Sequence, residues 1–308
     1  MDKAGRVTAF WENTAQTPLQ IVEDPLFIEQ GITLYVKRDD LLHPFVSGNK
    51  WRKLKYNLLE AEKCGASKLL TFGGAYSNHI AAVASAGKAT GFSTIGIIRG
   101  EELRADSNPT LRFAAQCGMD LRFVPRAAYR EKELLANPFG PDCFVLPEGG
   151  SNLHAVKGVA EAVAEIHTAG IAPDFLCTAL GTGGTAAGLI SAFERTVLIF
   201  PSLKIRKDEA LAMIGQYLSP AERRAEAVPV TDYHFGGYGK VTEELLRFIT
   251  QFEARTSLPL DQVYTGKMMF GLFDLAKSGF FKPGSVIVAL HTGGLQGKPG
   301  FYESLPEK

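Results

Sequence analysis

Short apolar runs alternate along the chain with longer segments whose apolar residues recur every three to four positions. Thr33–Lys37, Lys68–Phe72, Thr94–Ile98, Leu121–Val124, Cys143–Leu146, Phe175–Leu180 and Ser285–Leu290 read as strands. Between them, Lys50–Lys63, Ile80–Lys88, Asn108–Gln116, Ala155–His167, Ala186–Glu194, Thr242–Ala254 and Met268–Lys277 read as helices. Short, continuously apolar strands separated by helices predict an α/β fold whose mostly parallel sheet is covered on both faces. Gly65, Gly91, Gly118, Gly170 and Gly279 stand where helices are expected to end. The polar stretch Arg126–Pro141, broken by proline and glycine, reads as a surface excursion. Apolar runs such as Val197–Phe200 and Ser285–Leu290 are far shorter than the ~20 residues that cross a bilayer. Met1–Arg6 has no apolar core of the kind found in signal peptides. A soluble, cytoplasmic protein is the expectation.

Length and composition narrow the function classes. At about 150 residues per domain, 308 residues suggest two domains or one large one. Lys+Arg and Asp+Glu both number 33, so the basic excess that phosphate-rich partners demand is missing, which argues against nucleic acid and anionic membranes. Cys64, Cys117, Cys143 and Cys177 lie too far apart for zinc-ligand spacing, and are expected to be buried, reduced thiols with no metal. Glycine is in excess at 32 residues, against a usual ~7%. Composition does not say whether those glycines are turns or a binding surface.

In open α/β sheets ligands bind beyond the carboxyl ends of the strands, so the strand-to-helix loops carry the candidate chemistry. Gly181-Thr182-Gly183-Gly184-Thr185 joins an apolar run to a helical one. Its backbone N–H groups, threonine hydroxyls and helix start suit a single phosphate, and a tight turn is the alternative. Gly73-Gly74-Ala75-Tyr76-Ser77-Asn78-His79 offers hydroxyl, amide and open N–H donors at a helix start, suited to a carboxylate, although Asn78 could be no more than an N-cap. In Ser47-Gly48-Asn49-Lys50-Trp51-Arg52-Lys53-Leu54, helical spacing puts Trp51, Leu54, Leu58 and Ala61 within about 100° of Lys50, so Lys50 edges an apolar stripe while Arg52 and Lys53 point to the other side. A lysine held there loses solvation and becomes a nucleophilic amine, or else snorkels outward. Tyr238, Tyr264, His291 and Thr292 sit in further loops, each weak evidence alone.

Phosphate loop, carboxylate-binding helix start and desolvated lysine together suit pyridoxal 5′-phosphate acting on an amino acid. The segments TPLQ (17–20), YVKRDDL (35–41), SGNKWRKL (47–54), FGGAYSNH (72–79), PEGGSN (147–152), GTGGTAAG (181–188), VYTGK (263–267) and HTGG (291–294) span nearly the whole chain. In their combination the chain resembles the 1-aminocyclopropane-1-carboxylate deaminase/D-cysteine desulfhydrase family of fold type II pyridoxal-phosphate enzymes. The resemblance implies a large doubly wound domain (1–52 and 158–308) with an inserted smaller α/β domain (53–157), and a homodimer. It implies that Lys50 carries the cofactor and moves the substrate proton, and that Ser77, Asn78 and His79 receive the substrate carboxylate, Asn78 also lying near the ring hydroxyl. Gly181, Thr182, Gly183, Gly184 and Thr185 would hold the phosphate, Tyr238 and Tyr264 would flank the substrate, and Thr292 would stand beside the pyridine nitrogen.

Members of the family that deaminate aminocyclopropane-carboxylate have Glu where this chain has Thr265 and Leu where it has Thr292. The desulfhydrases have threonine at both. A carboxylate near the ring nitrogen would keep it protonated and make a stronger electron sink, which a hydroxyl does not supply. A weaker sink still permits loss of an α-proton and a good leaving group such as thiolate. The resemblance therefore implies α,β-elimination from D-cysteine to pyruvate, ammonia and hydrogen sulfide. Aminocyclopropane-carboxylate deamination, elimination or racemisation of another D-amino acid, and a non-catalytic cofactor-binding homologue are the alternatives. His154 and the stretch Leu295–Pro299 depart from the family pattern.

Overall fold

The computed structural model describes residues 5–12 and 16–298; Pro299, the last residue of the atypical stretch, lies outside them. In chain order the strands are β1 (Leu19–Ile21), β2 (Thr33–Lys37), β3 (Lys68–Gly73), β4 (Ser93–Arg99), β5 (Asp120–Val124), β6 (Cys143–Val145), β7 (Phe175–Leu180), β8 (Thr196–Pro201), β9 (Glu226–Pro229) and β10 (Val286–Leu290). The helices are α1 (Arg6–Glu12), α2 (Pro25–Glu29), α3 (Asn49–Lys63), α4 (Asn78–Thr90), α5 (Pro109–Gln116) and α6 (Lys132–Ala136). They continue with α7 (Leu153–Thr168), α8 (Gly184–Ala192), α9 (Lys207–Gly215), α10 (Glu243–Thr256) and α11 (Thr265–Lys277).

Two sheets result, one of six strands in the order β1-β2-β10-β7-β8-β9 and one of four in the order β5-β4-β3-β6. Every pairing is parallel except β1 with β2. Period-two alternation sends Leu34, Val36, Leu198, Phe200, Ile287 and Ala289 to one face of the large sheet, where they pack on α10 and α11. Val197, Ile199, Val288 and Leu290 go to the other face, against α7, α8 and α9. The small sheet is buried the same way, with α1, α3, α4 and α5 on one face. Its other face is closed by Tyr129, Leu135 and Phe139 from the 126–141 stretch, so that excursion is mostly exposed but pins one buried ring into the core.

Arg52 and Lys53 point away from the apolar stripe, as the spacing predicts, and α7 packs along that flank of α3, leaving each only 2% exposed. Arg52 is bonded there to Asp39 at 2.5 and 2.7 Å and to Glu165 at 2.8 Å. The expectation of four buried cysteines is corrected: only Cys177 is buried, Cys64 is exposed and the other two are partly covered.

Candidate active site

The segments beyond the carboxyl ends of β3, β7 and β10 converge around the start of α3. Gly48 (φ +62) lies so close to the loop after β10 that a Cβ would sit 2.0 Å from the Thr292 carbonyl oxygen. Only glycine permits that approach. The Asn49 N–H donates to the same carbonyl at 3.2 Å, which pins the first turn of α3 to the end of β10. Lys50 Nζ donates to Asn49 Oδ1 at 2.9 Å, and Asn49 Nδ2 donates to Thr185 Oγ1 at 2.9 Å. One amide side chain thus links the lysine to the glycine loop. Burial lowers the Lys50 amine to about 8, with Asp261 pulling partly the other way.

The glycine loop has no room for side chains. A Cβ on Gly183 (φ +92) would meet the Met213 carbonyl at 2.8 Å, one on Gly184 would meet Ser151 Oγ at 2.7 Å, and one on Gly181 would meet the Tyr264 ring at 3.2 Å. Thr182 Oγ1 lies 2.6 Å from Ser151 Oγ, which accepts from Lys53 Nζ at 2.9 Å. The Lys53 ammonium also donates to the Gly149 carbonyl at 3.2 Å, and among the described residues no carboxylate pairs with it. Desolvation first and Lys50 second hold its pKa well below 10.5.

At the start of α4, Ser77 is the N-cap and accepts from the Ile80 N–H at 3.3 Å. Asn78 is therefore the first helical residue rather than the cap. The Asn78 and His79 N–H groups have no intrahelical acceptor, as at any helix start. A Cβ on Gly294 would fall 3.0 Å from Asn78 Nδ2 and 3.1 Å from Asp261 Cγ, so α4, the loop after β10 and the start of α11 converge here. The His79 side chain turns inward: it is 1% exposed, with Nε2 2.8 Å from Thr71 Oγ1. Desolvation, then Lys50 and Lys53, hold it well below 6.5 and therefore neutral. Its ring packs against Thr71 and Gly150.

Tyr264 and Tyr238 meet edge to face, with centroids 6.1 Å apart and hydroxyls 3.4 Å apart. Burial, and next the neighbouring Tyr238, raise the Tyr264 phenol well above 10. Asp261, which the sequence did not single out, caps α11: its carboxylate accepts from the Val263, Tyr264 and Thr265 N–H groups at 2.8 Å and from Thr265 Oγ1 at 2.6 Å. Thr265 is fully buried. His291 is a buried strand-end histidine, Nε2 lying 2.6 Å from the Pro259 carbonyl. Lys53, Ser151 and Asn49 were likewise not singled out; their only signal was their place in the segments SGNKWRKL and PEGGSN.

Two amines one helical turn apart, both held below their ordinary range by desolvation, favour an anion beside them that would restore their charge. A bare N–H loop at a helix start beside them fits a phosphate, and the amine held near neutrality fits an aldehyde. This combination on a parallel sheet defines a pyridoxal-phosphate enzyme of fold type II. The chain belongs to the family of pyridoxal-phosphate dependent enzymes, whose family model matches residues 11–293. It is 31% identical to a Pyrococcus abyssi protein provisionally named a 1-aminocyclopropane-1-carboxylate deaminase, over 95% of this chain and 93% of that one. It is 30% identical to the D-cysteine desulfhydrase of Klebsiella pneumoniae, over 91% and 92%. The crystal structure of an ACC deaminase homologue superimposes with a TM-score of 0.78 at 28% identity, covering 95% of each chain. Among the described residues no helix is long and apolar enough to cross a membrane, and no cluster of three or more His, Cys, Asp or Glu could hold a metal ion.

Proposed function

We propose that the protein catalyses α,β-elimination on a small D-amino acid, D-cysteine above all, taking up one water and releasing pyruvate, ammonia and hydrogen sulfide. Held at Lys50, pyridoxal phosphate supplies the electron sink that acidifies the substrate Cα–H. Lys53, Ser151, Thr182 and Thr185 with the N–H groups of Gly181–Gly184 would hold the phosphate, and Thr292 would offer its hydroxyl to the pyridine ring. The open N–H groups of Asn78 and His79, with the Ser77 and Asn78 side chains, bind the substrate carboxylate. The Lys50 amine, at about 8, is matched to proton transfer at neutral pH. Tyr264 keeps its phenolic proton and can give it to the departing sulfur, with Tyr238 across from it.

The observation that carries elimination over ring opening is at Thr265. Its hydroxyl donates to Asp261 Oδ1 at 2.6 Å and accepts from the Asp261 N–H at 2.9 Å, while both Asp261 oxygens are taken by helix-capping donors. Neither group is free to act as a proton donor or mobile carboxylate on the cofactor ring. A panel of D-cysteine, β-chloro-D-alanine, D-serine and aminocyclopropane-carboxylate, assayed for keto acid, tests this. Pyruvate from the first two is expected, and dominant 2-oxobutyrate from the last would overturn it. Deamination of aminocyclopropane-carboxylate is the second reading, favoured by the 30% identity to an Arabidopsis thaliana protein named as bifunctional for both activities.

The inserted-domain division at 53–157, a cytoplasmic location and a homodimer belong to the same proposal. All four strands of the smaller sheet fall inside 53–157, which supports the first. Sedimentation of the holoenzyme tests the last.

A further inference from the structure

Lys267 closes the VYTGK segment, yet no step above uses it. It is 1% exposed on α11, and its ammonium donates to the carbonyls of His234 at 2.9 Å, Gly237 at 2.8 Å and Ser202 at 3.5 Å. Three donors on one nitrogen meet three backbone acceptors, and among the described residues no carboxylate pairs with it. Two of those acceptors belong to the loop that presents Tyr238, and the third lies just past the end of β8. The loop carries two backbone turn bonds of its own, from the Gly237 N–H to the His234 carbonyl and from the Lys240 N–H to the Gly237 carbonyl, and the Gly236 N–H donates to His234 Nδ1. Phe235, Gly236, Gly237 and Gly239 all have positive φ, at 51, 91, 117 and 68°, and Tyr238 projects from it 53% exposed.

We propose that Lys267 is a positioning residue: its buried ammonium clamps the 234–239 loop to the start of α11 and so fixes the Tyr238 hydroxyl against Tyr264. Tyr264 immediately precedes α11 and Lys267 lies in its first turn, so both ends of the tyrosine pair are set by one rigid element. The His234 and Gly237 carbonyls also accept from the Gly237 and Lys240 N–H groups at 3.0 and 3.1 Å, so the ammonium's part is to tether that turn to α11 and to Ser202 through charge-assisted bonds. The catalytic part of the inference rests on the elimination reading; the clamp does not.

Two measurements separate the two. In the holoenzyme without substrate, Lys267→Met should raise amide hydrogen exchange across 234–240 while leaving the β3–β4 core and the cofactor absorbance unchanged. Unchanged exchange in that loop would overturn the clamp, whatever the reaction proves to be. If Lys267→Met fails to fold, Lys267→Gln, which keeps a donor but not the charge or the reach, should raise exchange across 234–240 in the same sense; protection equal to wild type in that variant would count equally against it. With D-cysteine, Lys267→Met should cost the same order in kcat/KM as Tyr238→Phe, and a misplacement of ~1 Å would lose on the order of 10²-fold. In the Tyr238→Phe background the added loss should nearly vanish. Independent, multiplicative losses would show that Lys267 does not act through Tyr238.

Discussion

Asn49 donates its side-chain amide to Thr185 Oγ1 at 2.9 Å, tying the residue beside Lys50 to the loop at the start of α8. Because Asn49 also accepts from Lys50, removing its side chain frees the lysine and opens the loop together. Asn49→Ala should raise the dissociation constant for pyridoxal phosphate about tenfold, the equivalent of one net hydrogen bond. Absorbance titration of the apoprotein measures it.

Lys53 should matter more to the phosphate than to the aldehyde. Inorganic phosphate is expected to raise the unfolding temperature of wild-type apoprotein by mass action. Lys53→Met should abolish that rise, since the ammonium bonded to Ser151 beside the loop is gone. An equal shift in both proteins would place the anion elsewhere.

The Lys50 amine falls from 10.5 to about 8 on folding, so below about pH 8 the folded apoprotein holds a charge that burial penalises. Between 8 and 10.5 the unfolded chain binds more protons than the folded one, and apoprotein stability rises with pH. Lys50→Met should therefore be more stable than wild type near neutrality by on the order of 1–3 kcal/mol, with the gap narrowing as pH rises through that window. Urea unfolding of both apoproteins across the window checks the sign.

Glu165 has the opposite sign. Its hydrogen bonds and charge contact with Arg52, followed by those with Lys37, outweigh burial and hold it at about 2, below its usual 4.5. The stabilisation is complete above 4.5 and is lost as pH falls toward 2. Glu165→Gln should flatten the acid limb of the stability profile, and Asp39→Asn, which strips the buried Arg52 of its second partner, should cost about 3–5 kcal/mol.

Thr265→Glu should not by itself confer ring-opening activity. The site is fully buried and its hydroxyl is committed to Asp261, so a second carboxylate would be forced in beside the first. A loss of stability of about 2–4 kcal/mol is expected by thermal unfolding, with one of the two carboxyls protonated.

The parallel α/β architecture was legible because strands such as Phe175–Leu180 and Val286–Leu290 are buried on both faces and leave continuous apolar runs. β8 was passed over: Val197–Phe200 was noticed only as too short to cross a membrane. β1 and β9, at three and four residues on the sheet edges, carry too little pattern to read. Lys50, Arg52 and Lys53 could all be placed on their helix faces from spacing, but the burial of the last two could not be foreseen. Periodicity along one helix records its apolar stripe and says nothing of α7 covering the polar flank. Asp261 is invisible for a related reason, since its ligands are backbone N–H groups of a helix whose start the sequence placed at Met268 rather than Thr265. The interior position of the His79 ring also depends on the turn at Gly149 and Gly150, where a Cβ on Gly150 would meet that ring at 2.8 Å.

The central claim is that this site eliminates sulfide from a D-amino acid. Its most direct test is the initial rate of pyruvate and sulfide release by the holoenzyme from D-cysteine and L-cysteine, with Lys50→Ala as control. Equal amounts of the two products are expected, with at least about tenfold faster release from the D-enantiomer and none from the variant. Equal or faster turnover of L-cysteine, or pyruvate without sulfide, would contradict it.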